Sequence, residues 1–406
     1  MSELKGMKYL ANKLALKRTR VLTRYSYYDM KNVVMDFNIS TPPDLRFFMG
    51  ALGWCARAVD TLEDRLVFRE FTNDIYDINE IYNNNNKDIL FDSAMTGALI
   101  SSCDFIYIAP DESGYPQLQV IDGGNATGII DPITYLLREG YAVLERDSDG
   151  DVIREAYFTE KQTEIYEKGK LVKTAPNPAG YVTLVPVIYR PDSVRAFGHS
   201  RISRACMSIV DSALRTVKRS EISAEFFSYP QKYVTGLSND AGRMEAWKAT
   251  MSSMFAFTKD EDGDHPVVGQ FQQQAMTPHL DMLRMFASLF AAETGMTLDD
   301  LGFVSQNPSS SEAIKASHET LRLIARKAQR NFEVGFLNAG FVAACVRDKM
   351  HYTRALLVDT KAKWAPLFEP DAAALSGIGD GALKINQAMP GYIDEDVMED
   401  LTGITK

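Results

Sequence analysis

Two helical patterns that flank an insertion constrain this chain more than any other feature. From Ser200 to about Phe227, apolar residues recur at Ile202, Cys206, Ile209, Ala213 and Val217, with Phe226 after a slip, and the pattern stops at Tyr229-Pro230. A second pattern opens at Thr277-Pro278, with Thr as N-cap and Pro in the first turn. It runs to Thr294 and stops at Gly295, the residue type that ends helices best. Residues 278–294 would span about 25 Å as a helix. Two helices separated by residues 231–275 can run antiparallel, with the insertion projecting beyond both. That insertion has a strand-like KYVTG, a short helical stretch near Ala241–Ser252 and a turn at Asp260–His265.

The part before residue 197 has a different period. After Thr41-Pro42-Pro43-Asp44, a helical stripe (Phe48, Leu52, Cys55, Val59, Leu62, Leu66) covers Leu45 to about Val67, with Trp54 and Arg57 off the stripe. A second helix is expected over Lys87–Ser102. Strands follow at Asp104–Ala109, Gln117–Ile121, Tyr141–Glu145, Val152–Thr159 and Thr163–Glu167, separated by explicit turns such as Asp147-Ser148-Asp149-Gly150. They read as an antiparallel meander that closes with Val182–Tyr189. The fold class is therefore α+β, with a mainly helical C-terminal half. In that half a capping box, Ser309 to Glu312, starts the longest helical pattern, which reaches about Met350 and has Gly335 and Gly340 as expected kink points. The tail after Pro366 is acidic and short-helical.

Composition narrows the function classes. The chain has 406 residues, 45% of them hydrophobic and 24% charged, which suits a globular protein. No apolar leader and no run of about 18 apolar residues is present, so a cytoplasm-like compartment and no membrane are expected. Cys55, Cys103, Cys206 and Cys345 are far apart and read as reduced, mostly buried thiols. The net charge of −10 argues against a gripping DNA binder but is neutral on a conduit, whose walls must not stick. One segment is basic: Lys5, Lys8, Lys13, Lys17, Arg18, Arg20 and Arg24 lie in a short helix with Leu10, Leu14 and Leu16. It reads either as an arm for nucleic acid or an acidic neighbour, or as a solvated helix face.

Catalytic motifs fail. There is no P-loop, and Ser376–Gly381 is glycine-rich without a preceding βαβ strand. Asp147/Asp149/Asp151 and Asp260/Asp262/Asp264 imitate calcium loops but have Gly fourth and no Glu twelfth, so turns explain them better. The five histidines are scattered. No catalytic residue, metal or cofactor is expected, although a carboxylate pair assembled only in three dimensions, as in a metal-dependent nuclease, would leave no trace in sequence.

Four stretches carry a resemblance. Gly53–Asp60 (GWCARAVD), Val185–Tyr189 with Phe197–Ile202, Glu293–Met296 with Leu301-Gly302, and Asn307–Ile314 (NPSSSEAI) occur in the order found in the portal proteins of long-tailed phages, the family typified by a Bacillus siphophage. The chain resembles that family over residues 50–325. The resemblance implies a portal-type fold: a basic N-terminal arm (1–40), an α+β wing (41–196), a channel-lining stem helix (197–230), an α/β clip (231–275), a second stem helix (276–295), a tunnel loop (296–308), a long wing helix (309–350) and a reduced crown (351–406). It implies a non-enzymatic ring, twelve subunits in the virion, at one capsid vertex. Double-stranded DNA passes through it, and its partners are the terminase large subunit, a head–tail connector, the major capsid protein and scaffolding protein. It would reside in the virion, and in the host cytoplasm during assembly. Ser305, Gln306, Asn307, Ser309 and Ser310 would face DNA with uncharged hydrogen-bonding groups, or be an ordinary solvated loop. Lys315 and Arg322 would add positive charge nearby, or form surface ion pairs. In the clip, Arg243, Trp247 and Lys248 would dock a partner, against the plainer reading of Trp247 as core. A head–tail adaptor or minor capsid ring protein is the rival from the same structural class.

Overall fold

The computed structural model describes residues 4–35, 50–228, 232–235, 267–270, 275–303, 316–368, 370 and 372–404. They divide into two compact units, one formed by Met1–Asn32, Gly53–Met207 and Phe290–Lys406, the other by Val33–Leu52 and Ser208–Leu289.

The larger unit is α+β. Helix α1 (Met7–Tyr28) is followed by α2 (Trp54–Glu63), β1 (Phe68–Thr72), α3 (Ile78–Asn84) and α4 (Lys87–Ser101). Eight strands come next: β2 (Cys103–Pro110), β3 (Pro116–Ile121), β4 (Ala126–Ile130), β5 (Leu137–Arg146), β6 (Val152–Thr159), β7 (Gln162–Glu167), β8 (Lys170–Pro176) and β9 (Leu184–Ile188). The expected single meander is in fact two sheets. Strands β4 to β8 form a five-stranded antiparallel sheet in sequence order, whereas β9 leaves it and pairs with β2 in a sheet of order β3-β2-β9. The reason is burial. All five residues of β9 are buried, and this strand has no polar face to give to solvent on an edge of the meander. Between the sheets lies a core that includes Phe105, Leu137, Phe158 and Leu184.

The Asp147–Gly150 turn joins β5 to β6 as expected. The Asp147 carboxylate accepts from the amides of Asp149 and Asp151, and Gly150 takes a φ of 87°. The Asp260–Asp264 stretch lies outside the described residues.

The basic helix α1 is docked on this body. Leu10, Leu14 and Val21 are buried, whereas Leu16, placed on the apolar face by its sequence neighbours, is 79% exposed. Leu10 and Leu14 pack on Tyr141, Val143 and Tyr157. Its cations also point inward: Lys13 Nζ donates to the Gly128 carbonyl at 2.7 Å, Arg24 donates to the Ser101 carbonyl, and Lys17 Nζ is buried over the rings of Phe105 and Phe197. Burial holds the Lys17 ammonium below its usual pKa, against the pull of the nearby Asp104 and Asp122 carboxylates.

Helix α7 (Glu319–Asp348) is the long helix. The expected start at Ser309–Glu312 lies outside the described residues, and the helix runs unbroken through both glycines. Gly335 lies against the β9 backbone at Pro186 and Val187, and a Cβ on Gly340 would overlap the Ile78 side chain. Both are sites of close approach. Around the helix lies an aromatic cluster of Phe68, Phe71, Tyr82, Phe91, Phe336 and Trp364. The chain then returns to the body: β12 (Lys361–Trp364) pairs antiparallel with β1, before helices α8 (Ala372–Ala388) and α9 (Glu395–Thr402). All four cysteines are free and buried.

In the smaller unit, α5 (Arg204–Ser228) leads to β10 (Lys232–Thr235), which pairs antiparallel with β11 (Val267–Gln270), and α6 (Thr277–Thr294) follows. The first four residues of α5 and the last five of α6 belong to the larger unit. Strand β10 matches the strand-like KYVTG; β11 was not visible in the sequence because two valines and a glycine make no pattern.

Two stability effects follow. Gly340→Ala forces a methyl group into Ile78, and a urea melt should show a loss of about 1–3 kcal/mol. Asp104 is 2% exposed, and burial lifts its carboxyl to about 7, opposed by the Ser101 hydroxyl and assisted by Asp122. The folded state thus holds a proton that the unfolded chain releases near pH 4, so this group's contribution falls as pH rises from about 4 to about 7. The melting temperature of Asp104→Asn should fall less across that window than that of the unaltered chain.

Candidate functional site

The two helices expected to line a channel are set by one buried junction. Tyr189, at the end of β9, gives its carbonyl to the amide of His199, across a turn at Gly198 with φ 72°. A Cβ on Gly198 would overlap that same Tyr189 carbonyl. The Ser200 hydroxyl then donates to the Ile100 carbonyl at 2.6 Å and accepts from the amide of Ile202. Arg201, 6% exposed, gives its amide to the Leu99 carbonyl at 2.7 Å and its Nε to the Ala58 carbonyl at 3.1 Å. Burial lowers the Arg201 pKa, with Tyr189 raising it in part. Helix α5 starts directly after this knot. The residues that carry the family resemblance here also cap the last carbonyls of α4, a role that leaves no pattern in sequence.

The end of α6 meets the start of α5. The Ser203 hydroxyl donates to Glu293 Oε1 at 2.8 Å and also accepts from the amide of Cys206. Phe290 is fully buried with its ring 5.6 Å from that of Trp54. Trp54 therefore belongs to the core, not off the apolar stripe, because α2 presents it toward α6. Gly295 ends α6 with φ 70°, as its position predicted, and a Cβ there would press on Ile324 of α7. The Ser203–Glu293 bond joins the points where the chain leaves for the smaller unit and returns from it, and within that unit β10 pairs with β11. α6 also carries large apolar side chains that are left half exposed. Met282, Met285 and Leu289, at the i, i+3, i+7 spacing of one helix face, are 42%, 49% and 50% exposed.

The expected tunnel loop starts within this base. The Asp300 carboxylate accepts from the amide and hydroxyl of Thr297, and its other oxygen lies 3.8 Å from His318 Nε2. Arg57 Nε reaches the Asp300 carbonyl at 3.4 Å. Asp300 and His318 stand on either side of residues 304–315, so the two ends of that stretch are held together. Ser305, Gln306, Asn307, Ser309, Ser310 and Lys315 lie outside the described residues, as do Arg243, Trp247 and Lys248. Arg322 is described, and its guanidinium forks onto Glu319 at 2.6 and 2.7 Å, the ion-pair reading of that residue. Among the described residues, no group of three or more His, Cys, Asp or Glu is placed to hold a metal ion, and no helix is long and apolar enough to cross a membrane.

Gly198→Ala should be costly, since it combines a left-handed backbone with a backbone overlap. The expected loss exceeds about 2 kcal/mol, and amide hydrogen exchange should speed up at Arg201, Ile202 and the first turn of α5.

Residues 7–350 match the family model described as phage portal protein, SPP1 Gp6-like. The portal protein of Mycobacterium phage L5 is 24% identical over 340 residues, covering 76% of this chain and 67% of that protein. The portal protein of Mycobacterium phage D29 is 24% identical over 334 residues, covering 75% and 67%. Among solved structures, the neck of a native gene transfer agent particle computed with C12 symmetry aligns over 87% of this chain and 90% of its own, at 13% identity and a TM-score of 0.47. The neck of the empty particle computed with C6 symmetry aligns over 95% and 98%, at 13% identity and a TM-score of 0.41. A family model that spans most of the sequence, from α1 to the end of α7, makes this chain a member of the SPP1-like phage portal protein family.

Proposed function

We propose that this chain assembles head to tail into a closed ring, twelve subunits in the virion, that forms the portal through which double-stranded DNA enters and leaves a capsid. In this reading α5 and α6 form the stem around the channel, and the segment between β10 and β11 is the clip that meets the terminase large subunit during packaging and a head–tail connector afterwards. Residues 304–315 are the loop nearest the DNA. The ring sits at one vertex of the virion, among major capsid and scaffolding protein during assembly in the host cytoplasm. It has no catalytic role, and the energy for DNA movement comes from the separate motor.

The observation that carries this reading is the apolar face of α6. Three large side chains left half exposed on one helix face are a burden to a monomer and an asset to a subunit. A ring of head-to-tail contacts covers the same face on every copy. The exchange of a gripping surface for a smooth one also fits the net charge, because like charge along a channel weakens DNA adhesion.

Negative-stain electron microscopy of the purified protein tests it. Rings with a central hole are expected. Met285→Asp and Leu289→Asp should abolish them while leaving the melting temperature within a few degrees. A chain that stays monomeric at every salt concentration, or a variant pair that still forms rings, would sink the proposal.

A further inference from the structure

The larger unit holds a cleft that the portal reading does not use. It has a volume of about 830 Å³ and lies between the end of α2, β1 and the returning tail. Arg57 of α2, Arg65 just after it and Arg69 of β1 all line it. Each spends an N–H on a backbone carbonyl rather than on a carboxylate: Arg57 on Asp300, Arg65 on Leu367 at 3.4 Å, and Arg69 on Gly403 at 2.7 Å. Arg65 also lies over the Phe368 ring, 4.4 Å from its centroid. Among the described residues, none of the three has an ion-pair partner. Their remaining donors are short of acceptors, since Arg65 Nε and Arg69 NH1 are buried without a hydrogen-bond partner. Thr61 adds a third such group. It is 6% exposed, and its hydroxyl, on the same cleft, has no partner either.

A buried guanidinium donor without an acceptor is costly, and an incoming anion removes that cost. The forked geometry of arginine fits a carboxylate or a phosphate equally well. The rest of the lining decides between them. Much of the remaining lining is apolar, with Val67, Pro366, Leu367, Leu375 and Ile404. Asp64 and Asp300 also lie at the cleft, Asp300 already committed to Thr297, so three arginines stand against two carboxylates. A DNA duplex is too wide to enter such a space, and a bare phosphate has no apolar group to set against the apolar lining. A polypeptide that alternates acidic and apolar residues satisfies both the arginines and that lining.

We propose that this cleft binds an acidic segment of a partner polypeptide, its carboxylates on Arg57, Arg65 and Arg69 and its leucine or phenylalanine side chains against Leu375 and Ile404. Binding would complete the hydrogen bonds of Arg65, Arg69 and Thr61 and cover the apolar lining in a single step. The arginines are the anchors of this contact, since desolvated arginine concentrates interface energy. Rim carboxylates on the partner would set the association rate and its salt dependence.

Fluorescence anisotropy on the full chain tests this with a fluorescein-labelled peptide of alternating aspartate or glutamate and leucine. Its lysine-for-acid counterpart, a single-stranded oligothymidylate and inorganic phosphate serve as further probes. The acidic peptide should bind saturably and weaken as salt rises. Arg65→Gln and Arg69→Gln should each weaken it at least tenfold, whereas Arg20→Gln, on the exposed face of α1, should not change it. If the arginine variants lose their fold, read by their melting temperatures, Leu375→Glu gives the same reading with the arginines intact, and the same tenfold loss is expected. No saturable binding, equal binding by the lysine peptide, or affinity indifferent to all three substitutions would overturn the proposal. So would an oligothymidylate or phosphate that displaces the peptide with the same arginine dependence, since the site would then be one for phosphate. Ring formation by the same samples reads the portal function separately.

Discussion

The last carbonyls of α4 are the groups on which the larger unit is organised. A helix end leaves four carbonyls without intrahelical partners, and in a buried place each must find a donor. Here the donors come from three distant parts of the chain. The Leu99 and Ile100 carbonyls take Arg201 and Ser200, the Ser101 carbonyl takes Arg24 of α1, and the Ser102 carbonyl takes the amide of Tyr189 at the end of β9. One unsatisfied helix terminus thereby fixes the N-terminal helix, the strand that changes sheets and the start of α5. The buried polar groups at this point behave as a set, since the loss of one donor leaves a carbonyl in a dry place and not merely a weaker contact.

The same economy explains why the basic segment is not a free arm. Seven cations between Lys5 and Arg24 look like an electrostatic tentacle when read along the sequence. In the folded chain three of them are consumed indoors, on a carbonyl of β4, on two aromatic faces and on the end of α4. A charge count cannot distinguish a lysine that waits for phosphate from one that caps a strand, because the difference lies in partners that are more than 70 residues away.

What the sequence disclosed is uneven, and the unevenness has physical causes. Helices announce themselves through a 3.6-residue stripe and through their ends, so α4, α5 and α6 were legible, and Gly295 ended α6 where expected. Strands β4, β8 and β12 were not, because each is short or solvent-facing and acquires its identity from a neighbour. β8 is exposed at nearly every position, and β12 exists by pairing with β1 almost 300 residues earlier. The glycines of the long helix carry a role that a sequence does not show, since a missing side chain is a sign of close approach only in three dimensions, and at Gly335 and Gly340 the body presses against the helix. The described stretches of the family signature sit on the junction and the base of the two helices, where many constraints meet in few residues. The quoted loop and clip residues lie outside the described structure, apart from Arg322, whose guanidinium is engaged by Glu319.

The pairing of β10 with β11 has a consequence for how such a chain can change over time. Four rungs of antiparallel backbone, Lys232 opposite Gln270 to Thr235 opposite Val267, hold the two ends of the insertion side by side. Backbone hydrogen bonds are indifferent to side-chain identity, so whatever sequence is spliced between Thr235 and Val267 inherits the same attachment. The segment between them can therefore change in sequence over time while the two strands that hold its ends stay as they are.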